Sequence, residues 1–234
     1  MKQDKNLGSR LCSAVSFLRK EEIVADIGTD HAYLPILLVR EGIALRAVAC
    51  DIGSGPIERA RKHICEAGME EKIDTLQTDG LHGVETWKPT AILIFGMGGE
   101  LIVKILSEAD WIKQPHVRLI LQPMSHAEIL RAWLCDNGFE IIGETVTKEK
   151  RFYQTLCATL GERGENYTEA ELMVGKVDRQ TDPILYRALI AQRVRLLEKI
   201  LREKQKSGSA GIARETELVG ELRKLSQPEK EEIR

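Results

Sequence analysis

"VADIGTDHAYLP", from Val24 to Pro35, decides how the rest of the chain is read. An apolar strand runs to Ile27, one glycine follows at Gly28, and Asp30, His31 and Tyr33 lead into a helical pattern. Strand, glycine and helix in that order belong to open α/β sheets, whose ligands sit beyond the carboxyl ends of parallel strands. A dinucleotide turn repeats its glycine two residues later, and "DIGTDH" does not. The turn therefore suits a ligand that needs close approach of the backbone but no glycine-lined anion cradle.

Working outward, strand-like and helix-like segments alternate over most of the chain. "EIVADI", "RAVACDI", "KIDTLQT", "AILIFG" and "VRLILQ" predict five strands, four of them apolar enough for a sheet covered on both faces. "FEIIGETVTKE" and "FYQTLCATL" alternate more and predict an antiparallel pair at one edge. Helical periods fill the gaps. Pro56 is expected at the first position of the second helix and Gly68 just past its end. Ser125 with Glu128 predicts a capping box on a later helix, and Ser9 caps a short helix ahead of the first strand. The fold class is thus α/β, a Rossmann-like, mostly parallel sheet with an antiparallel edge hairpin.

After Gly161 the pattern becomes helical throughout. Asp182 and Pro183 form a cap and first-turn pair, and Leu185, Leu189, Leu196, Leu197, Ile200 and Leu201 lay down an apolar stripe. "KSGSAG" breaks it before a second stripe at Leu218, Leu222 and Leu225, which predicts a C-terminal helical hairpin of coiled-coil kind. Residues 1–160 and 161–234 are the expected domains.

The 234 residues are 43% apolar and 30% charged, with a formal net charge of −2, which suits a soluble globular chain. No apolar run reaches bilayer length, and the N-terminus lacks a signal-peptide core, so a cytoplasmic, membrane-free protein is expected. Cys12, Cys50, Cys65, Cys135 and Cys157 are scattered without a C-x-x-C, which reads as reduced thiols and no metal. Charge is unevenly distributed. Between Ile184 and Lys206 seven Lys or Arg face two Glu, a local excess that reads either as a solvated helix face or as a surface for phosphates.

The strand ends carry the chemistry. The first ends in Asp26-Ile27-Gly28, the second in Asp51-Ile52-Gly53, the third in Asp79-Gly80 and the fourth in Gly96-Met97-Gly98. Three successive acids would repel a pyrophosphate and favour a ligand with a cation and hydroxyls. S-adenosyl-L-methionine has an ammonium, a sulfonium, a ribose diol and an adenine, and no phosphate. On this reading Asp51 accepts from the ribose diol, Asp79 from the adenine amino group beside Gly80, and Asp26, Gly28 and Asp30 line the methionine end. Ile27, Ile52 and the Gly96–Gly98 backbone complete the donor-binding set. No G-K-[ST] phosphate loop occurs in the chain.

"ADIGTDHAYLP", "ACDIGSGPIERA", "TDGL", "FGMGGEL" and "LILQP", with Arg10-Leu11 ahead of them, resemble the bacterial tRNA (adenine(22)-N(1))-methyltransferase family in kind and order. The resemblance runs from Arg10 to about Leu160 and is weaker in the helical tail. It implies a class I methyltransferase fold, S-adenosyl-L-methionine as donor, and tRNA as the partner methylated at N1 of an adenine. "GMGG" stands where common adenine methyltransferases carry an N-P-P-Y-type motif, so backbone at Gly96 to Gly98 must grip the acceptor. His31 and Tyr33 are the nearest rings for stacking on the target base. Because adenine N1 carries its own lone pair, the site needs alignment and a carboxylate near the cationic product, for which Asp30 is the choice. Arg10, Arg193, Arg195, Lys199 and Arg202 are the expected RNA contacts. Alternatives are the same donor with another RNA or a small-molecule acceptor, or a silent Rossmann-like RNA-binding module, against which the strand-end acids argue. The oligomeric state stays open, with a monomer compatible with the reading.

Overall fold

The computed structural model describes residues 10, 13, 15–20, 22–161, 166–207 and 212–227. Ser9, Cys12 and most of the expected N-terminal helix lie outside them; a 3-10 turn, Val15–Phe17, is what is described there.

Seven strands form one sheet: β1 (Glu22–Ile27), β2 (Ala44–Asp51), β3 (Ile73–Gln77), β4 (Ala91–Met97), β5 (Arg118–Pro123), β6 (Phe139–Lys148) and β7 (Phe152–Leu160). Their spatial order is β3-β2-β1-β4-β5-β7-β6. β1 to β5 are mutually parallel, while β7 runs antiparallel to both β5 and β6. The order reverses between β1 and β4, so the crevice for a ligand opens at their carboxyl ends.

Alternate residues along each strand feed two apolar layers, as a period of two requires. Val24, Ala47, Leu93 and Ile120 meet α1 (Tyr33–Arg40) and α2 (Ser54–Glu66). Ala25, Val48, Ile94 and Leu121 meet α3 (Gly99–Ser107) and α4 (Ala127–Asp136). A third cluster holds α5 (Glu169–Val174), α6 (Pro183–Ser207) and α7 (Ile212–Leu225) together and draws in Val146 of β6. The helical tail is thus packed on the outer edge of the sheet.

Several local expectations are corrected. α2 starts at Ser54, with Gly53 as its extended N-cap, so Pro56 is the third helical residue. Proline is tolerated there because first-turn N–H groups lack intrahelical acceptors. Ser125 is not a cap: His126 takes that position with φ 54° and no side-chain cap bond. The reason is a close approach between turns. The Gly99 N–H donates to the Ser125 carbonyl at 2.8 Å, and a Cβ on Gly99 would collide with the His126 carbonyl. Leu196 falls off the buried stripe and is half exposed. The tail also contains α5, whose Thr168–Glu171 capping box is spelled "TEAE" in the sequence. By contrast the Asp182 carboxylate accepts from the Ile184 and Leu185 N–H groups, as expected of a cap.

A buried polar hub ties the tail to the sheet. Arg131, fully buried on α4, donates to Glu144 Oε1 of β6 at 2.7 Å, to the Leu172 carbonyl of α5 at 2.8 Å and to Gln154 Oε1 of β7 at 2.8 Å. Gln180 donates to the other Glu144 oxygen at 2.8 Å. Every charged partner is satisfied, which is what makes a desolvated ion pair tolerable.

Candidate active site

Between the ends of β1 and β4 lies a cleft of about 160 Å³ lined by Arg10, Asp26, Gly28, Asp30, His31 and Tyr33, among others. Gly28 has φ 80°, a left-handed conformation that favours glycine, and a Cβ there would also push the Met97 methyl group aside. Its N–H donates to the Cys50 carbonyl of β2 at 2.8 Å.

Asp26 is buried beneath this turn, and its Oδ2 accepts from the Thr29 hydroxyl at 2.6 Å. Burial pushes its carboxyl up to about 6; the Thr29 hydrogen bond opposes that rise and the nearby Asp51 charge adds to it. An uncompensated buried carboxylate of this kind favours an arriving cation.

Asp30 has φ 41° and stands at the mouth of the cleft. It is not the cap of α1, which starts after Ala32 with no side-chain cap bond. The Asp30 carboxylate accepts from Arg59 Nη2 at 2.6 Å and lies 3.3 Å from His31 Nε2. His31, Tyr33 and His63 form a stack, with centroids 5.1 to 5.3 Å apart. Tyr33 is half exposed, so its ring is not part of the core. His31 Nδ1 is buried without a partner among the described residues.

Asp51 and Asp79 stand at the neighbouring strand ends. Asp51 Oδ1 accepts from the Gly53 N–H at 2.9 Å, which fixes the turn into α2. Ile52 beside it is 67% exposed, an apolar platform next to an acid. Gly80 has φ 61° and Asp79 is exposed. On the β4 side Phe95 lines the cleft, and Gly96, Met97 and Gly98 follow it at the end of the strand; the Met97 carbonyl accepts from the Met124 N–H at 2.8 Å. Asp51, Ile52 and Asp79 do not line the Asp26 cleft but stand at the neighbouring strand ends, so three carboxylates gather along one edge of the sheet.

Arg10 reaches the cleft because its backbone is anchored. Its carbonyl accepts from Gln122 Nε2 at 3.0 Å, and the same amide donates to Thr155 at 2.8 Å. Arg193, Arg195, Lys199 and Arg202 all lie on α6, but not on one face. Arg195, Lys199 and Arg202 are exposed at helical spacing, whereas Arg193 is partly buried. Arg193 lines a larger cavity of about 740 Å³ between the tail and the β5–α4 turn.

Arg59 and His63 escaped the sequence reading. They are four residues apart on α2, so one face of that helix carries both against the Asp30–His31 turn. Nothing in "PIERARKHICEAG" marks that face until the packing of α2 is known. Among the described residues no group of three or more His, Cys, Asp or Glu is placed to hold a metal, and no helix is long and apolar enough to cross a membrane.

Residues 7–156 match the Methyltransferase domain family. The tRNA (adenine(22)-N(1))-methyltransferase of Bacillus subtilis is 35% identical over 72% of this chain and 71% of its own length. Streptococcus pneumoniae Sp1610, solved in complex with S-adenosyl-L-methionine, is 33% identical with a TM-score of 0.79, covering 92% of this chain and 99% of that one. M. capricolum TrmK, solved with S-adenosyl-homocysteine, is 25% identical with a TM-score of 0.79, covering 93% and 96% of the two chains. With a switch-point cleft of this charge and these relatives, the chain belongs to the tRNA (adenine(22)-N(1))-methyltransferase family.

Proposed function

We propose that this protein uses S-adenosyl-L-methionine to methylate N1 of adenine 22 in bacterial tRNA, in the cytoplasm where tRNA resides. The observation that carries the reading is a cleft in which a buried carboxylate, Asp26, and an exposed ring stack, His31–Tyr33, share one opening. One end is built for a cationic methionine moiety and the other for a flat base.

Asp26 pairs with the donor ammonium, Asp51 accepts from the ribose diol, and Asp79 with Gly80 and Ile52 holds the donor adenine. Ile27 and the Gly96–Gly98 backbone close the pocket around it. The donor supplies an electrophilic methyl on a sulfonium. N1 of the acceptor attacks it with its own lone pair, the carbon–sulfur bond breaks, and sulfur keeps the electrons, so no proton need be removed first. The chain's task is alignment and charge stabilisation. Tyr33 and His31 stack on the target base, which must leave its helical stack because N1 lies on the pairing edge. Asp30 faces the positive charge the ring acquires, with Arg59 fixing its orientation until that charge appears. Arg195, Lys199 and Arg202 meet tRNA phosphates away from the acidic cleft.

The test is nucleoside mass spectrometry of unmodified tRNA incubated with the protein and methyl-labelled donor. Labelled 1-methyladenosine is expected at position 22. Label confined to ribosomal RNA, or absent from RNA altogether, overturns the reading.

A further inference from the structure

The turn between β6 and β7 carries "KEKR", Lys148 to Arg151, and its place in the fold gives it a use. β7 is antiparallel to β5, with Leu121 opposite Leu156, so the start of β7 and the turn before it project beyond the carboxyl end of β5. That is the edge on which the cleft opens.

Lys148, Lys150 and Arg151 are exposed there. The aromatic residues that follow organise them. Lys148 Nζ lies 4.4 Å from the centre of the Phe152 ring, and Arg151 Cζ lies 5.3 Å from that of Tyr153. Arg10 Cζ approaches the same Tyr153 ring at 5.5 Å. Both guanidiniums also converge on one sulfur, Met124 Sδ, at 3.7 Å from Arg10 and 3.6 Å from Arg151. Arg10 in turn lines the cleft. A continuous cationic rim therefore runs from the acceptor end of the cleft to the hairpin tip.

The partners of these cations matter as much as their position. Ring faces and a thioether orient a guanidinium without neutralising it. Among the described residues no carboxylate pairs with the side chains of Arg10, Lys148, Lys150 or Arg151. The one acid in the turn, Glu149, accepts instead from the Arg10 backbone N–H at 3.1 Å. Several tail cations are already matched: Arg223 with Glu198, Lys204 with Glu215, and Arg214 with Glu169. Convergent cationic side chains that pair with no carboxylate among the described residues make a site for an anion, and an RNA backbone beside the cleft supplies it.

We propose that the β6–β7 hairpin tip, with Arg10, is the clamp for the phosphodiester backbone immediately flanking the target adenosine. This rests on the reading of the cleft as the methyl-transfer site. The tail stripe then holds distant parts of the tRNA, while the tip fixes the strand from which the base is extruded.

The test uses the full-length protein with Lys148→Gln, Lys150→Gln and Arg151→Gln combined; Arg10 is left intact because it lines the cleft. All three positions are exposed, so thermal unfolding should match wild type. Binding to tRNA is followed by fluorescence anisotropy across a salt series, and donor binding by calorimetry. The expected result is tRNA affinity reduced about tenfold or more at low salt, with the slope of log K against log salt shallower by about one unit for each phosphate no longer neutralised. KM for tRNA rises, while donor affinity stays within about twofold because the tip does not touch the donor pocket. On a short stem-loop carrying the target adenosine the tip substitutions should still weaken binding; no effect on that RNA overturns a local clamp. Unchanged affinity and slope on whole tRNA, with wild-type methylation intact, overturns the clamp and leaves the cleft reading standing. A wild-type protein that methylates no tRNA overturns both.

Discussion

Replacing Asp26 with Asn should make the ligand-free protein more stable at neutral pH while impairing donor binding. The carboxyl is 6% exposed and titrates near 6 in the folded state, against 3.8 for an ordinary aspartate. Between those values the folded chain keeps a proton that the unfolded chain has released, so stability falls as pH rises through this window. Two pKa units correspond to about 3 kcal/mol as an upper bound, lost in full above about pH 6. Asn keeps an oxygen for the Thr29 hydroxyl but has no charge to bury. Urea unfolding of both proteins without donor, from about pH 4 to about pH 7.5, isolates the effect as a difference curve. That difference should move in favour of Asp26→Asn by up to about 3 kcal/mol across the range. The donor ammonium should reverse the balance, since it pairs with the ionised form. Wild-type affinity for S-adenosyl-L-methionine should therefore tighten as pH rises through 6, and the variant's should not. A stability difference flat to within about 0.5 kcal/mol refutes the account of Asp26 as a strained, buried carboxylate.

Asp51→Ala should weaken donor binding by about 1.5–3 kcal/mol, read by calorimetry, because the diol loses a charged acceptor; unchanged affinity removes Asp51 from the donor site. Asp30→Asn should lower turnover by more than about tenfold with tRNA affinity nearly unchanged, and wild-type turnover would shift attention to His31 and Tyr33. Gln at Arg195, Lys199 and Arg202 together should weaken tRNA binding and flatten its salt dependence by about one unit for each phosphate set free; a retained slope makes that stripe a solvated face. Arg131→Met should lower the unfolding free energy by about 3–5 kcal/mol, since Glu144 is left buried without its charge partner. Chemical denaturation measures it, and a loss below about 1 kcal/mol contradicts the role of the hub.

Seven strands and the two tail helices were legible because apolar runs, a period of two and helical stripes are local signals. The position of Asp26, Gly28 and Asp51 at the carboxyl ends of β1 and β2 was legible too, since in a parallel sheet the strand itself places the residues at its end. What escaped was set by pairs of elements meeting. Ser125 loses its expected capping role because Gly99, twenty-six residues away in "GMGG", takes its carbonyl. Arg59 and His63 meet the Asp30–His31 turn only because α2 lies against the turn into α1. Arg131 looks like a surface residue of an amphipathic helix until β6, β7 and α5 close over it.

The anchoring of Arg10 has a consequence for the order in which the protein can mature on the ribosome. Gln122 and Thr155 hold the segment that carries Arg10, and the Ser13 and Thr155 hydroxyls lie 2.8 Å apart across 142 residues of chain. β7 is inserted between β5 and β6, so the edge of β5 stays open until β7 has been synthesised. A nascent chain that has completed all five parallel strands has Gln122 but lacks Thr155, so the anchor of Arg10 is incomplete and there is no hairpin tip. Contacts this distant in sequence close late, after the local ones have formed. The Arg10 side of the cleft is therefore completed only after the five parallel strands, and a chain that stops short of β7 cannot present it.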